Sequence, residues 1–308
     1  MGSEAQLRLP ILDFTKEENL IPGSSSWLST CTSVRQAFEE HGCFVVVYDK
    51  ASNELQNGLF GSLKELFDLP TETKRRNVYE GMPLKSYVGQ HPVIPLHESM
   101  GIDEGTTLEG LRCFAEKMWP GGNDEFCKYL SEYAKVAEEL DRMVARMIFE
   151  SYGVLEHYYT YARSTNYLLR LLSHKAPEKV EPQLGFVPHT DKSFTTILHQ
   201  NHVNALMVET KDGAWIDVDF SSPTSFVVMA GDALMAWSND RIKSPNHKVL
   251  MSGNETRYSL GLFAFYRGIL QVPEELIDEE HPLQYKPFDH LALLNFTYSA
   301  NMKVYCGV

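Results

Sequence analysis

The sequence predicts a mainly β protein with added helices, an α+β chain in which a β-sandwich or barrel carries helices supplied by the N-terminal half. Three observations predict it. After residue 165 the chain breaks into short, often alternating apolar runs, "YLLRLLS", "TTILHQN", "ALMVETKDGAWIDV", "SFVVMAGDALMAWS", "NHKVLMS" and "RYSLGLFAFY". Turn residues such as Lys211-Asp212-Gly213 and Met251-Ser252-Gly253-Asn254 separate them, the pattern of half-buried strands joined by tight connections. Before that point apolar residues recur at three- and four-residue spacing, the period of a helix face. No repeat, low-complexity tract or Gly/Ser linker divides the 308 residues, so the chain reads as one integrated unit. Within it lie a helix-rich region 1–160, a strand-rich region 161–275 and a C-terminal segment 276–308.

Taken in order, "LRLPILDF" is a short apolar strand. "SVRQAFEEHGCFVVVYD" is a helix with Val34, Ala37 and Phe38 on one face, stopped by Gly42 before a strand from Cys43 to Tyr48. "LKELFDLPTETKRRN" is a helix interrupted at Pro70. From Tyr79 to about Glu109 the chain is rich in Gly, Pro and His and reads as a loop or lid, with His91 and His97 in it. Asp124 to Tyr152 carries the strongest helical periodicity, with Asn123 as N-cap and Gly153 as stop.

The formal net charge of −13, with no Lys/Arg block, argues against nucleic acid and anionic membrane as partners and leaves a small-molecule substrate. No apolar run is long enough to span a bilayer, and "MGSEAQLRLPILDF" does not resemble a secretory signal. The 5 cysteines are scattered and never in a CxxC pair, which fits reduced thiols in a cytoplasmic protein. The glycosylation sequons at Asn254 and Asn295 then carry no weight.

The chemistry begins at "HTDKS". In an extended segment His189 and Asp191 face the same way and can hold one metal ion together. Alone, an H-x-D triplet arises often by chance, and a satisfied histidine beside a surface aspartate is the ordinary reading. His247, in "SPNHKV" at the start of another strand, adds a second imidazole. Two histidines and one carboxylate make the facial triad of non-haem iron sites, although zinc accepts the same ligands. In "RYSLGLFAFY", alternation puts Arg257, Ser259, Gly261, Phe263 and Phe265 on one face. If that face is buried, the guanidinium needs an anion, and the distal carboxylate of a dicarboxylic acid suits it. An outward arginine beside a packed Phe pair is the alternative. His199 and His202 belong to no motif and read as surface or strand-end residues.

H-x-D, then His, then R-x-S, in that order, resembles the plant Fe(II)- and 2-oxoglutarate-dependent dioxygenases. "LPILDF", "AFEEHGCFVVV", "ELFDLPTETK", the "VVMAGDALMAWSN" strand pair and "HPLQYKPFDH" extend the likeness over nearly the whole chain. "YVGQHPVIPLHESMGID", "STNYLLRLLSHKAP", "PHTDKS" and the terminal "YCGV" resemble its AOP-like subgroup. The resemblance implies a double-stranded β-helix, a jelly roll with iron at its open end and the C-terminal segment covering the site. It implies Fe(II) on His189, Asp191 and His247, 2-oxoglutarate on Arg257 and Ser259, dioxygen as oxidant and ascorbate as reductant. Many members carry Asn-Tyr-Tyr-Pro after the strand containing Arg170, with the Asn and second Tyr on the cosubstrate; here those positions hold Leu172 and His174, and His174 can still donate a hydrogen bond. Substrate contacts are expected from Arg170, Phe194, Phe263 and Phe265.

The implied reaction oxidises a C–H bond of a small plant metabolite or hormone, by hydroxylation, demethylation or desaturation, with release of succinate and CO2. The expected enzyme is a cytoplasmic monomer. A 2-oxoglutarate-independent oxidase on the same fold and a catalytically silent metal-binding jelly roll remain as competitors.

Overall fold

The computed structural model describes residues 8–80, 82, 84–178, 180–220, 222–294 and 302–308. Leu7, Gly81, Pro83 and the sequon at 295–297, on which some expectations fall, lie outside the described residues.

Two sheets lie at the centre. The larger is formed by β1 (Ile11–Asp13), β2 (Cys43–Val47), β3 (His97–Asp103), β4 (Thr165–His174), β6 (Thr195–Gln200), β9 (Ser225–Ala230) and β11 (Arg257–Tyr266), in the order β1-β2-β9-β6-β11-β4-β3. The smaller runs β5 (Gln183–His189), β10 (His247–Met251), β7 (Leu206–Glu209), β8 (Trp215–Asp217). Leu206, Val208, Ile216 and Val218 of the small sheet and its exit pack against Cys43, Val45, Val227 and Met229 of the large one. This is the dry part of a two-sheet sandwich.

The other face of the large sheet is covered by helices. α1 (Ser25–His41) starts where the Ser24 hydroxyl accepts from the Trp27 N–H and ends at Gly42, whose φ of 71° only glycine adopts readily. α2 (Asn53–Asp68) stops before Pro70, and the single turn α3 (Thr71–Lys74) follows. α4 (Leu108–Met118) and the long α5 (Asp124–Ser151) pack behind the sheet, and α6 (Leu155–Ser164) leads into β4. Leu169 and Leu171 of β4 and Leu260, Leu262 and Ala264 of β11 join that helix-backed core. The alternate residues of the same strands therefore face the sandwich interior.

Two expectations change. The segment from Tyr79 to Glu109 is not irregular throughout: residues 97–103 form β3, which pairs with β4 at the sheet edge, and α4 begins at Leu108. Its period-two signal, His97, Ser99 and Gly101 against Met100 and Ile102, is short and hidden among Gly and Pro. The second half of "VVMAGDALMAWSN" is a helix, α7 (Asp232–Trp237), not a strand. Nearly every residue there is buried, and a continuous apolar run looks alike as a buried strand or a buried helix.

α5 is tied to the strands by Asp141, whose carboxylate accepts hydrogen bonds from the Tyr167 and Thr195 hydroxyls. Burial pushes this carboxyl up to about 6 from its ordinary 3.8. Its favourable contribution to stability is therefore complete below pH 3.8 and lost as pH rises through about 6. Asp141→Asn removes that dependence, so the melting-temperature difference between variant and parent should move by roughly 2–4 °C in the variant's favour from pH 4 to 7. Thermal unfolding across that range checks it; a constant difference would show that Asp141 does not titrate there.

Candidate metal and cosubstrate site

His189 ends β5 and His247 begins β10, and the two are direct cross-strand partners. Their ring centroids stand 4.1 Å apart. Asp191 lies two residues beyond the end of β5, in the segment that leads to β6, and its carboxylate reaches both histidines. Asp191 Oδ1 is 3.7 Å from His189 Nε2 and 3.8 Å from His247 Nε2. One ligand atom from each of the three lies within 4.8 Å of the others, a grouping that could hold one metal ion.

The hydrogen bonds behind the ligands suit a metal. His189 Nδ1 is 2.9 Å from the Val187 carbonyl and His247 Nδ1 is 3.2 Å from that of Pro245. A carbonyl only accepts, so each ring carries its proton on Nδ1 and turns the Nε2 lone pair inward. Burial and the neighbouring His247 push His189 down to about 4, keeping it neutral. Thr196 donates its hydroxyl to Asp191 Oδ2 at 2.8 Å, leaving Oδ1 toward the trio. This donor set of two imidazoles, each with Nε2 turned inward, and one carboxylate fits Fe(II).

Along the same interior face runs a row of direct cross-strand neighbours, His97 on β3, His174 on β4 and Arg257 on β11. All three are buried. Arg257 donates from Nε to Gln200 Oε1 at 2.9 Å and from Nη1 to Ser259 Oγ at 3.1 Å. Among the described residues no carboxylate forms an ion pair with it, and burial alone lowers the guanidinium to about 10. An anionic group brought to this guanidinium would complete the pair.

Beside the trio is a small cavity lined by Leu84, Leu168, Arg170, Phe186, Phe263 and Phe265 together with His189, Thr190, Asp191 and Lys192. It adjoins an outer cavity of about 280 Å³, which shares Leu84, Leu168 and Phe265 and adds Met82, Lys85, Asp103, Arg267 and Leu291. Arg170 donates from Nη2 to Ser99 Oγ at 2.9 Å and stands 6.0 Å from the Phe263 ring centroid.

The structure therefore gathers His189, Asp191, Arg170, Phe263 and Phe265 around one space, with His247 beside the first two and Arg257 and Ser259 on the interior face of β11. Phe194 is not among them. It is fully buried against Phe149, Tyr161 and Trp237, because its backbone pairs with Ala264 and its side chain takes the helix-backed side of the sheet. His199 is not a surface residue but a core histidine, stacked on Tyr133 and Phe226 with Nε2 at the Pro223 carbonyl. His202 is exposed and pairs with Glu255. Thr196, Gln200, Phe186, Lys192 and Ser99 carry no motif of their own. The alternation of β6 and β3 was the only signal that could have found Thr196, Gln200 and Ser99.

Residues 159–265 match the 2OG-Fe(II) oxygenase superfamily, and residues 9–98 match the family described as non-haem dioxygenase in morphine synthesis N-terminal. The chain is 41% identical over 297 residues to the probable 2-oxoglutarate-dependent dioxygenase AOP1.2 of Arabidopsis thaliana, spanning 94% of this chain and 90% of that protein. It is 30% identical to the 2-oxoglutarate-dependent dioxygenase AOP3 of the same plant, over 100% of this chain and 99% of the relative. Among solved structures, the rice dioxygenase for auxin oxidation superposes with a TM-score of 0.81 at 26% identity, over 98% of this chain and 100% of that one. JOX2 in complex with 2OG, Fe and JA superposes with a TM-score of 0.78 at 21% identity, over 97% and 88%, a likeness of fold. The two sheets are the jelly-roll core of these oxygenases.

Thr196→Val removes the hydroxyl that orients Asp191 and should weaken Fe(II) binding about 10-fold, as loss of an outer-shell partner typically does. Asp191→Ala should abolish it. Anaerobic Fe(II) titration of the metal-free protein measures both, and unchanged affinity in Asp191→Ala would remove the carboxylate from the ligand set.

Proposed function

We propose, for a chain that belongs to the plant 2-oxoglutarate- and Fe(II)-dependent dioxygenases, that His189, Asp191 and His247 hold the iron and that Arg257 and Ser259 hold the far carboxylate of 2-oxoglutarate. The protein is an oxidoreductase of AOP-like kind that uses Fe(II), 2-oxoglutarate and dioxygen on a small molecule. Iron, when bound, supplies the oxidative chemistry, in which 2-oxoglutarate and O2 become succinate and CO2 while one oxygen atom or its oxidising equivalents pass to the substrate. The observation that carries the residue assignment is a charged guanidinium, buried with no carboxylate paired to it among the described residues, on an interior face shared with a trio of side chains that could hold a metal ion.

The remaining residues position and exclude. Phe263, Phe265, Leu84 and Leu168 give the space beside the trio an apolar wall, which orients a C–H bond toward the metal and keeps bulk water out. Arg170 and Lys192 place positive charge on the same wall and suit a substrate bearing an acidic group. The primary substrate is read as a small plant specialised metabolite or hormone. The size of the outer cavity and the structural relatives described by auxin oxidation and by a JA complex support that reading. The enzyme is further read as a cytoplasmic monomer with ascorbate as reductant and neither nucleic acid nor membrane as partner. The net charge of −13 supports the exclusion of nucleic acid. No helix among the described residues is long and apolar enough to cross a membrane.

Arg257→Ala should raise the 2-oxoglutarate requirement roughly 30-fold, corresponding to about 2 kcal/mol for a charge-assisted hydrogen bond, while the metabolite requirement changes little. Succinate release against 2-oxoglutarate concentration reads this directly. Equal effects on both requirements would refute the cosubstrate role, and turnover without 2-oxoglutarate would refute the reaction assigned.

A further inference from the structure

The His97–His174–Arg257 row continues as a chain of hydrogen bonds whose direction is determined from one end. Arg257 can only donate, and its Nη1 stands 3.5 Å from His174 Nδ1, which must therefore accept. The His174 proton then sits on Nε2, 3.0 Å from His97 Nδ1. His97 accepts there and carries its own proton on Nε2, 3.0 Å from Ser99 Oγ. Ser99 Oγ also accepts from Arg170 Nη2 at 2.9 Å. Charging either imidazole would turn an acceptor nitrogen into a donor facing another donor. Burial, then Arg170, push His97 down to about 3, and burial, then His97 and Arg257, push His174 down, so both stay neutral.

This chain changes what His174 can do. It is fully buried and both of its ring nitrogens are engaged by protein, one by Arg257 and one by His97. It has no donor left to give a cosubstrate, contrary to the expectation that it contacts 2-oxoglutarate itself. Arg257, for its part, has Nε on Gln200 and Nη1 shared between Ser259 and His174. Among the described residues no acceptor meets Nη2. Since Ser259 Oγ accepts from Arg257, its own hydroxyl proton is also available. One edge of the guanidinium and one hydroxyl are thus left for a carboxylate.

We infer that His97 and His174 are a positioning pair for the cosubstrate: His97 holds His174, His174 orients the Arg257 guanidinium, and neither imidazole touches 2-oxoglutarate. The inference rests on the assignment of Arg257 to the far carboxylate.

The test is anaerobic titration of the Fe(II)-loaded full chain with 2-oxoglutarate, followed by the visible charge-transfer absorption of the chelate, with Fe(II) affinity measured separately. His97→Leu leaves the His174 Nε2–H without an acceptor. It should weaken 2-oxoglutarate binding about 10-fold while Fe(II) affinity stays within about twofold. His97→Asn, whose amide oxygen falls near the lost Nδ1, should recover most of the affinity. Should His97→Leu fail to fold, Ser99→Ala at the far end of the chain takes its place, with a loss of about 3-fold expected. Unchanged 2-oxoglutarate affinity, or parallel losses of Fe(II) and 2-oxoglutarate with no recovery in the Asn variant, would overturn the positioning role. An unaltered protein that binds Fe(II) but develops no absorption with 2-oxoglutarate would overturn the cosubstrate assignment itself.

Discussion

Arg257 keeps a full positive charge with only 3% of its surface exposed, and much of the interior is arranged around that burial. A guanidinium taken out of water without an anion costs several kcal/mol unless neutral acceptors surround it and a ligand completes the pair. Here the acceptors are Gln200, Ser259 and His174, from three adjacent strands. Each must hold its register, because a slip of one residue would turn the whole set to the helix-covered face. Register on β11 is pinned by its opposite face, where Leu260, Leu262 and Ala264 pack into the core built with α5. The helices behind the sheet therefore help to fix where the Arg257 guanidinium sits.

The same two-sided logic separates the dry and functional parts of the sandwich. Where β2 and β9 face β7 and β8, both sheets present aliphatic residues and the interior closes. Where β4 and β11 face β5 and β10, the inward rows carry His, Arg, Ser and Gly, and the interior opens as a cavity. His189 and His247 come from the small sheet, with Asp191 just past the end of β5, and Arg257 comes from the large one. On the proposed assignment, a chelating molecule anchored at both would bridge the sheets and give the opening the cross-sheet contacts that the aliphatic part already has.

Much of this was legible in the sequence because period-two alternation survives in long strands. Arg257 to Phe265 reads correctly as one face, and the H-x-D, His, R-x-S order picks out residues that the fold brings to one interior. What was not legible had one of three physical causes. β3 is an edge strand in a Gly- and Pro-rich stretch, so the His97 and Ser99 alternation is too short to stand out. α7 is buried on nearly every side, which erases the amphipathic period that marks a helix. Phe194 and His199 depend on which face of β6 and its approach the core covers, and residue type alone does not say: Phe194 sits near the ligands in sequence, yet its ring packs among Phe149, Tyr161 and Trp237.

Clearance around Arg170 shows how backbone, not side chain, shapes the substrate wall. Its direct cross-strand neighbours are Gly101 on β3 and Gly261 on β11. A Cβ at Gly101 would come within 2.6 Å of the Leu84 carbonyl oxygen and 2.7 Å of Lys85 Cα, and the Gly101 N–H already donates to the Lys85 carbonyl at 3.1 Å. A Cβ at Gly261 would come within 2.5 Å of the Phe263 ring. Both contacts are shorter than carbon and oxygen atoms tolerate, so any side chain at either glycine must move the neighbour. Those neighbours are Leu84, which lines both cavities, and Phe263, which lines the inner one. The two missing side chains let the Leu84 segment and the Phe263 ring settle close to the sheet on either side of Arg170, and the shape of the cavity there follows from that approach.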